Sequence, residues 1–276
     1  MKPRGLPCPP IVMDPNMTQL PDALFLHRLA DAADAETMQR FRTRLDVQSK
    51  PKDGYKFDPV TDADRAAEIA IRAIIRDAYP DHAIEGEEFG VSGSGDIRWV
   101  IDPIDGTRPF LLGIPVWGTL IGVTQKGHAV SGMMSQPVTR ERFWADRTGS
   151  WMQRDSKTIE LKTSEKVDLA DAILHTNSPE PILRNPQISF EALNRQVKMT
   201  RYGGECYAFA MLAAGHIDIC FEFSLQPYDI VAIIPIIEKA GGVVTTLSGG
   251  NAAAGGPVVM AANASLHAQV LQILNG

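Results

Sequence analysis

Cysteine is scarce. Cys8, Cys206 and Cys220 are the only three in 276 residues, widely spaced and with no C-x-x-C pair. That argues against a disulfide framework or a structural zinc site and fits a reducing, cytoplasmic setting. Positive charge is also short, with 27 Lys and Arg against 33 Asp and Glu, for a net charge of −6. A nucleic-acid binder needs a basic face, so nucleic acid is not expected as a partner. No apolar run reaches the ~20 residues of a membrane helix, so no membrane partner is expected either. The six histidines form no H-E-x-x-H motif or close pair, and neither a G-x-S-x-G elbow nor a Walker A loop occurs. The proline-rich start, "MKPRGLPCPPIVMDPNM", lacks the continuous apolar stretch of a signal peptide. Residues 1–19 are read as a flexible arm.

Apolar material is ample, at 44% of residues, with 22% charged. That is the balance of a soluble globular protein with a sizeable core, in one large domain or two closely joined ones. Helical spacing runs from about Leu20 to Arg44, through Leu24, Phe25, Leu29, Ala32 and Ala33. A second helix is predicted over "TDADRAAEIAIRAIIRDAYP", capped by Thr61 or Asp62 and ended by Pro80, with Ile69, Ile71, Ile74 and Ile75 on its apolar side. "IRWVID" reads as a strand, followed by a meander of short strands to about residue 146 in which Met133 and Met134 are packing residues. "GGECYAFAMLAAGH" and "YDIVAIIPIIEKAGG" read as helices, "IDICFEFS", "VVTTL" and "PVVMAAN" as strands, and "SLHAQVLQILNG" as a closing helix. The class is α/β, or α+β mixed. Two halves are expected, 20–150 and 151–276, with no flexible linker between them.

The functional signal starts at "WVIDPIDGTRPF". Asp102 and Asp105 follow a strand, with Gly106 and Thr107 immediately after. Two carboxylates at the end of a strand repel unless something positive lies between them. Mg²⁺ suits such a pair, since it takes oxygen ligands from a few carboxylates, water and substrate phosphate. The Ile104 carbonyl is a further oxygen donor, and Gly106 lets backbone approach a phosphate. An Asx-type turn capping a helix accounts for the same residues equally well. Other acids have ordinary explanations of their own. Glu85, Glu87 and Glu88 fit a solvated face, and Asp62, Asp64 and Asp229 fit helix N-termini.

Taken together and in order, "VTDAD", "GEE", "DPIDGT" and "YDIVAIIPIIEKAGG" resemble the inositol monophosphatase family of metal-dependent phosphatases. The resemblance runs from about residue 20 to the C-terminus. It implies a layered αβαβα sandwich, a site where the two halves meet, two or three Mg²⁺ ions and a homodimer. It makes Glu87 a metal ligand that helps position the attacking water. Asp102 would bridge two metals, with the Ile104 carbonyl on one and Asp105 on the other, and Asp229 would complete the shell of the second metal. Thr107 would orient the water with Glu87, the Gly106 and Thr107 amides would hold phosphate oxygens, and Asp64 would be a support residue. The implied reaction is hydrolysis of a small phosphorylated metabolite by a metal-activated water, with no phosphoenzyme.

Within the family, "SQPVTRERFW", "TRYGGECYAFAMLAAGHIDICFE" and "LQPYD" are most similar to the histidinol-phosphate phosphatase branch. Histidinol phosphate carries an ammonium group and an imidazole, so its pocket should offer carboxylates beyond those on metal. Glu222 and Glu205 are the candidates, although the branch usually has Asp in place of Glu205. Arg108 either touches phosphate or pairs with a nearby acid. The rival substrates are inositol-1-phosphate and a phosphoadenosine nucleotide. A rival of another class is a catalytically silent, metal-dependent scaffold.

Overall fold

The structure, a computed structural model, describes residues 20–44, 47–49 and 59–276. The N-terminal arm expected over 1–19 and most of the polar loop after the first helix lie outside these residues. The apolar stripe predicted near the start forms α1 (Ala23–Arg40), whose first turn is capped by Asp22 accepting the Phe25 N–H at 2.8 Å. A short ribbon of β1 (Val47–Ser49) and β2 (Pro59–Thr61) leads into α2 (Asp62–Ala78). Thr61 is its N-cap, and Asp64 reaches back to the Thr61 amide to complete a capping box. The buried stripe of this pair is Leu26, Leu29, Ala30, Ala33, Ala67, Ile71 and Ile75. Leu24 and Ile69, which the spacing placed on the apolar side, face outward and are exposed.

The chain then builds a sheet of eight strands. They are β3 (Ala83–Gly86), β4 (Gly90–Ser92), β5 (Ile97–Asp105), β6 (Gly118–Gln125), β7 (His128–Gln136), β8 (Glu141–Asp146), β9 (Gly149–Arg154) and β10 (Lys157–Glu160), with α3 (Thr107–Leu112) between β5 and β6. The order is β10-β9-β8-β7-β6-β5-β3-β4. All neighbours are antiparallel except β3 and β5, which run parallel. A second sheet carries β11 (Ile173–Thr176), then α4 (Glu180–Leu183), α5 (Phe190–Asn194), β12 (Met199–Tyr202), α6 (Glu205–Ala213) and β13 (Ile219–Leu225). It is completed by α7 (Pro227–Ile230), α8 (Ile233–Lys239), β14 (Val243–Thr246), β15 (Gly256–Ala261) and α9 (Ala264–Asn275). Its order is β12-β11-β13-β15-β14.

Five layers result. α1 and α2 cover one face of the large sheet, burying Trp99, Ile101, Ile121, Val123 and Met133. α6 and α8 lie between the sheets in a core that includes Leu120, Met134, Phe209, Ile236 and Met260. α5 and α9 close the far side over Phe190, Phe221, Val259 and Leu266. Met133 and Met134 point to opposite faces of β7 and pack in two different cores, as the alternation of a strand requires.

The helix expected over residues 228–240 is divided into α7 and α8. Pro235 has no N–H to donate to the Val231 carbonyl four residues earlier, so the helical ladder is interrupted at Val231 and Ala232. This interruption lies against β7. A Cβ on Gly132 would fall 2.0 Å from the Ala232 carbonyl oxygen. The close approach of the α7–α8 segment to the sheet therefore depends on glycine at 132. Gly132→Ala should destabilise the protein by about 1–3 kcal/mol, the usual cost of overpacking, read as a lower urea midpoint at unchanged slope.

Candidate metal centre

Residues three apart on a regular strand face opposite sides. Asp102 and Asp105 nevertheless meet, because β5 carries an extra residue between them. Asp102 pairs with Leu120 and Asp105 with Gly118, so Pro103 and Ile104 stand opposite Thr119 alone. Pro103 cannot donate to the ladder, and its carbonyl instead accepts the Thr119 hydroxyl at 2.8 Å. The Asp102 carboxylate accepts the Ile104 N–H at 3.0 Å. The Asx-type turn is thus present, and it aims both acids at the same side. Gly106 then turns the chain with φ 86°, and α3 begins at Thr107. The Thr107 hydroxyl donates to the Ile104 carbonyl at 3.2 Å.

Asp229 joins them from the second half of the chain. It lies in the first turn of α7 and accepts the Gln226 N–H at 2.7 Å. One carboxylate oxygen from each of Asp102, Asp105 and Asp229 falls within 4.8 Å of the others. Glu87 follows β3, with its amide tied to the Ile101 carbonyl at 3.1 Å, and its charge acts on Asp102 and Asp64. Asp64 is buried. One of its oxygens accepts the Thr61 amide at 2.8 Å and hydroxyl at 2.6 Å, while the other has no hydrogen-bond partner.

The electrostatics follow from this crowding. Burial raises the Asp102 carboxyl well above the ordinary range, and the charges of Glu87, Asp105, Asp229 and Asp64 push the same way. Asp105 is pushed up to about 7, first by burial and then by Glu205, against the stabilising hydrogen bonds from Cys206. Asp64 is pushed up to about 6, again by burial first, with Glu87 adding to it. A group of hard oxygen donors that repel one another, with a buried carboxylate oxygen still unpartnered beside them, fits a hard divalent cation. Mg²⁺ suits the chemistry of this set.

A second acidic pair flanks the centre. Glu222 is buried on β13 and accepts the Asn177 N–H at 2.7 Å. Glu205 opens α6 in the left-handed region at φ 47°, a conformation that costs a non-glycine residue on the order of 1–3 kcal/mol. Its amide donates to the Asn177 side-chain oxygen at 2.7 Å, and the next amide, of Cys206, donates to Asp105 at 2.7 Å. Burial raises both the Glu205 and Glu222 carboxyls, and each also feels neighbouring acids. Arg108 is exposed, and its charge acts on Glu205 in the opposite direction.

Several supporting residues escaped the sequence reading. Glu68 is fully buried, pairs with Arg72 at 2.6 Å, and accepts the amides of Glu88 at 2.8 Å and Phe89 at 3.3 Å. It thereby holds the turn that carries Glu87. The signal was available: Glu68 and Arg72 are four apart and share the buried stripe with Ile71 and Ile75. Asn177 and Cys206 gave no such signal, because their partners are distant in sequence.

The family model described as "Inositol monophosphatase family" matches residues 21–275. A histidinol-phosphatase of Streptomyces coelicolor is 38% identical over 270 residues, covering 93% of this chain and 97% of that one. A Nus factor SuhB of Pseudomonas aeruginosa is 37% identical over 227 residues, covering 78% and 81%. Among solved structures, an inositol monophosphatase from Zymomonas mobilis superposes with a TM-score of 0.79 at 32% identity, covering 91% of this chain and 96% of that one.

The raised carboxyls set a pH dependence. A carboxyl raised on folding contributes stability that is complete below its unfolded value and is lost as pH rises through its folded value. For Asp64 and Asp105 that loss runs from about pH 4 to about 7. The melting temperature of the chelator-treated protein should therefore fall across this window, and fall less in Asp105→Asn. Mg²⁺ should raise it, more at pH 7.5 than at pH 5. A melting temperature that Mg²⁺ leaves unchanged at both pH values would count against a cation site here.

Proposed function

Since the chain belongs to the inositol monophosphatase family and is thereby a phosphoric monoester hydrolase, we propose that it converts L-histidinol phosphate to L-histidinol and phosphate. The observation that carries this reading is the second acidic pair. Glu222 and Glu205 stand beside the centre, where the alcohol portion of a monoester would lie. An ammonium and an imidazole would find charge-assisted partners there. Similarity to a histidinol-phosphatase along nearly the whole of both chains supports the same choice.

In this reading Glu87, Asp102, Asp105, Asp229 and the Ile104 carbonyl would hold two or three Mg²⁺ ions. Bound Mg²⁺ supplies charge neutralisation for an in-line displacement and acidifies water. The protein's own groups do the rest. Gly106 and Thr107 present backbone amides to the phosphate oxygens, and Arg108 adds positive charge at the rim. Glu87 and the Thr107 hydroxyl orient the attacking water along the ester axis. Asp64 supports the Glu87 side of the site from the first turn of α2. Glu222 and Glu205 receive the cationic groups and fix the leaving alcohol opposite the water. A neutral polyol such as inositol-1-phosphate is the second reading, favoured by the likeness to an inositol monophosphatase. It would leave the buried Glu222 carboxylate without a cation to meet.

Asp102→Asn removes a buried carboxylate of the centre. Its turnover should fall by about 10³-fold or more, as the loss of several kcal/mol of charge stabilisation implies, while its far-ultraviolet circular dichroism stays that of the parent. Near-normal turnover would sink the assignment of the centre, whereas no release from any ester by the parent protein would favour a silent scaffold. The substrate is tested by phosphate release from L-histidinol phosphate, inositol-1-phosphate and a phosphoadenosine nucleotide, each with Mg²⁺ and with chelator. The expected result is an Mg²⁺-dependent preference for L-histidinol phosphate. In Glu222→Gln the KM for that substrate should rise about tenfold, since one charge-assisted hydrogen bond is replaced by a neutral one.

A further inference from the structure

Asn177 touches both acids of the flanking pair. It lies one residue beyond β11, where the parallel pairing of β11 with β13 brings it level with Glu222. Its backbone N–H donates to one Glu222 carboxylate oxygen at 2.7 Å. Its side-chain oxygen accepts the Glu205 amide at 2.7 Å. Glu205 needs that anchor, because it is the only non-glycine residue among those opening the described helices whose φ is positive, at 47°. The following amide, from Cys206, is held on the other side by Asp105 at 2.7 Å. The turn that presents Glu205 is therefore pinned between the acidic centre and Asn177. With the Asn177 acceptor gone, the Glu205 amide loses its partner in a half-buried place, and the strained turn has less to hold it.

We propose that Asn177 is a positioning residue for substrate discrimination: it holds Glu222 by its backbone amide and Glu205 by its side-chain oxygen, so that the two carboxylates form one site for the cationic part of the alcohol. This rests on the reading of the substrate given above. Asn177 makes no contact with the reacting phosphate in this scheme, so its effect falls on the choice of alcohol rather than on the displacement itself.

The test compares kcat/KM for L-histidinol phosphate with kcat/KM for p-nitrophenyl phosphate, which carries no cation, in the Mg²⁺-loaded full chain. Asn177→Leu keeps the size and removes the acceptor. The ratio of the two values should fall about tenfold or more, the scale of one lost buried hydrogen bond, mainly through the KM for L-histidinol phosphate. Asn177→Asp keeps an acceptor oxygen and should retain most of the ratio. Should the leucine variant fail to fold, Asn177→Ala serves the same comparison. Equal losses for both esters, or an aspartate variant as impaired as the leucine one, would overturn the role. A parent enzyme with no preference for L-histidinol phosphate overturns the substrate reading and this inference with it. A parent preference that Asn177→Leu leaves intact overturns the inference alone.

Discussion

Repulsion among carboxylates is the constraint around which this structure is arranged. Asp102, Asp105 and Asp229 place oxygens within 4.8 Å of one another, and Glu87 and Asp64 add their fields from the side. Left alone, such a cluster would push its members apart or hold protons. The fold opposes the first outcome by fixing each acid to a different piece of rigid backbone. Asp102 is turned inward by its own Asx-type hydrogen bond in a strand bulge. Asp229 is locked into a helix cap. Asp105 is anchored by the Cys206 amide across 101 residues of sequence. Since the geometry is set by backbone rather than by a mobile side chain, the site is preorganised for positive charge.

The same constraint explains features at a distance from the centre. The buried Glu68–Arg72 pair is costly to desolvate, and breaking one partner of such a pair typically loses 3–5 kcal/mol. It earns no place as a stabiliser in itself. Its use is geometric, since Glu68 takes the amides of Glu88 and Phe89 and so fixes the turn that begins with Glu87. At the other end, the interruption of the α7–α8 helix by Pro235 and the bare Gly132 beneath it let Asp229 descend to the sheet. Core packing and acid placement are coupled here through one helix break.

The sequence was most informative where chemistry and local structure coincide. The two N-terminal helices, the β5 strand, the short meander and the three C-terminal elements all follow from periodicity and punctuation. The acids of "DPIDGT" were identifiable as a group, but their meeting on one face was not, because a strict alternation predicts opposite faces. The bulge that reverses this is set by pairing with β6, and only Pro103 hints at it. β12 was illegible for a related reason. "MTRY" has a largely exposed pattern and becomes a strand only by joining β11 at the edge of the second sheet.

The flanking acids show where local reading must stop. Glu222 sits on a strand whose alternation gives no reason to prefer a site over a solvent-facing carboxylate, yet it is buried and accepts the Asn177 amide. Glu205 begins a helix with a backbone angle that its residue type does not favour, so propensity would argue against its position. Both facts become intelligible through contacts between residues 28 and 45 positions apart. Local preference is overruled at the place where the chain brings polar groups together beside the acidic centre. A strained, buried and mutually hydrogen-bonded group of this kind is hard to account for by stability, because its charges and its backbone both oppose folding. That opposition is the physical argument for assigning it to recognition.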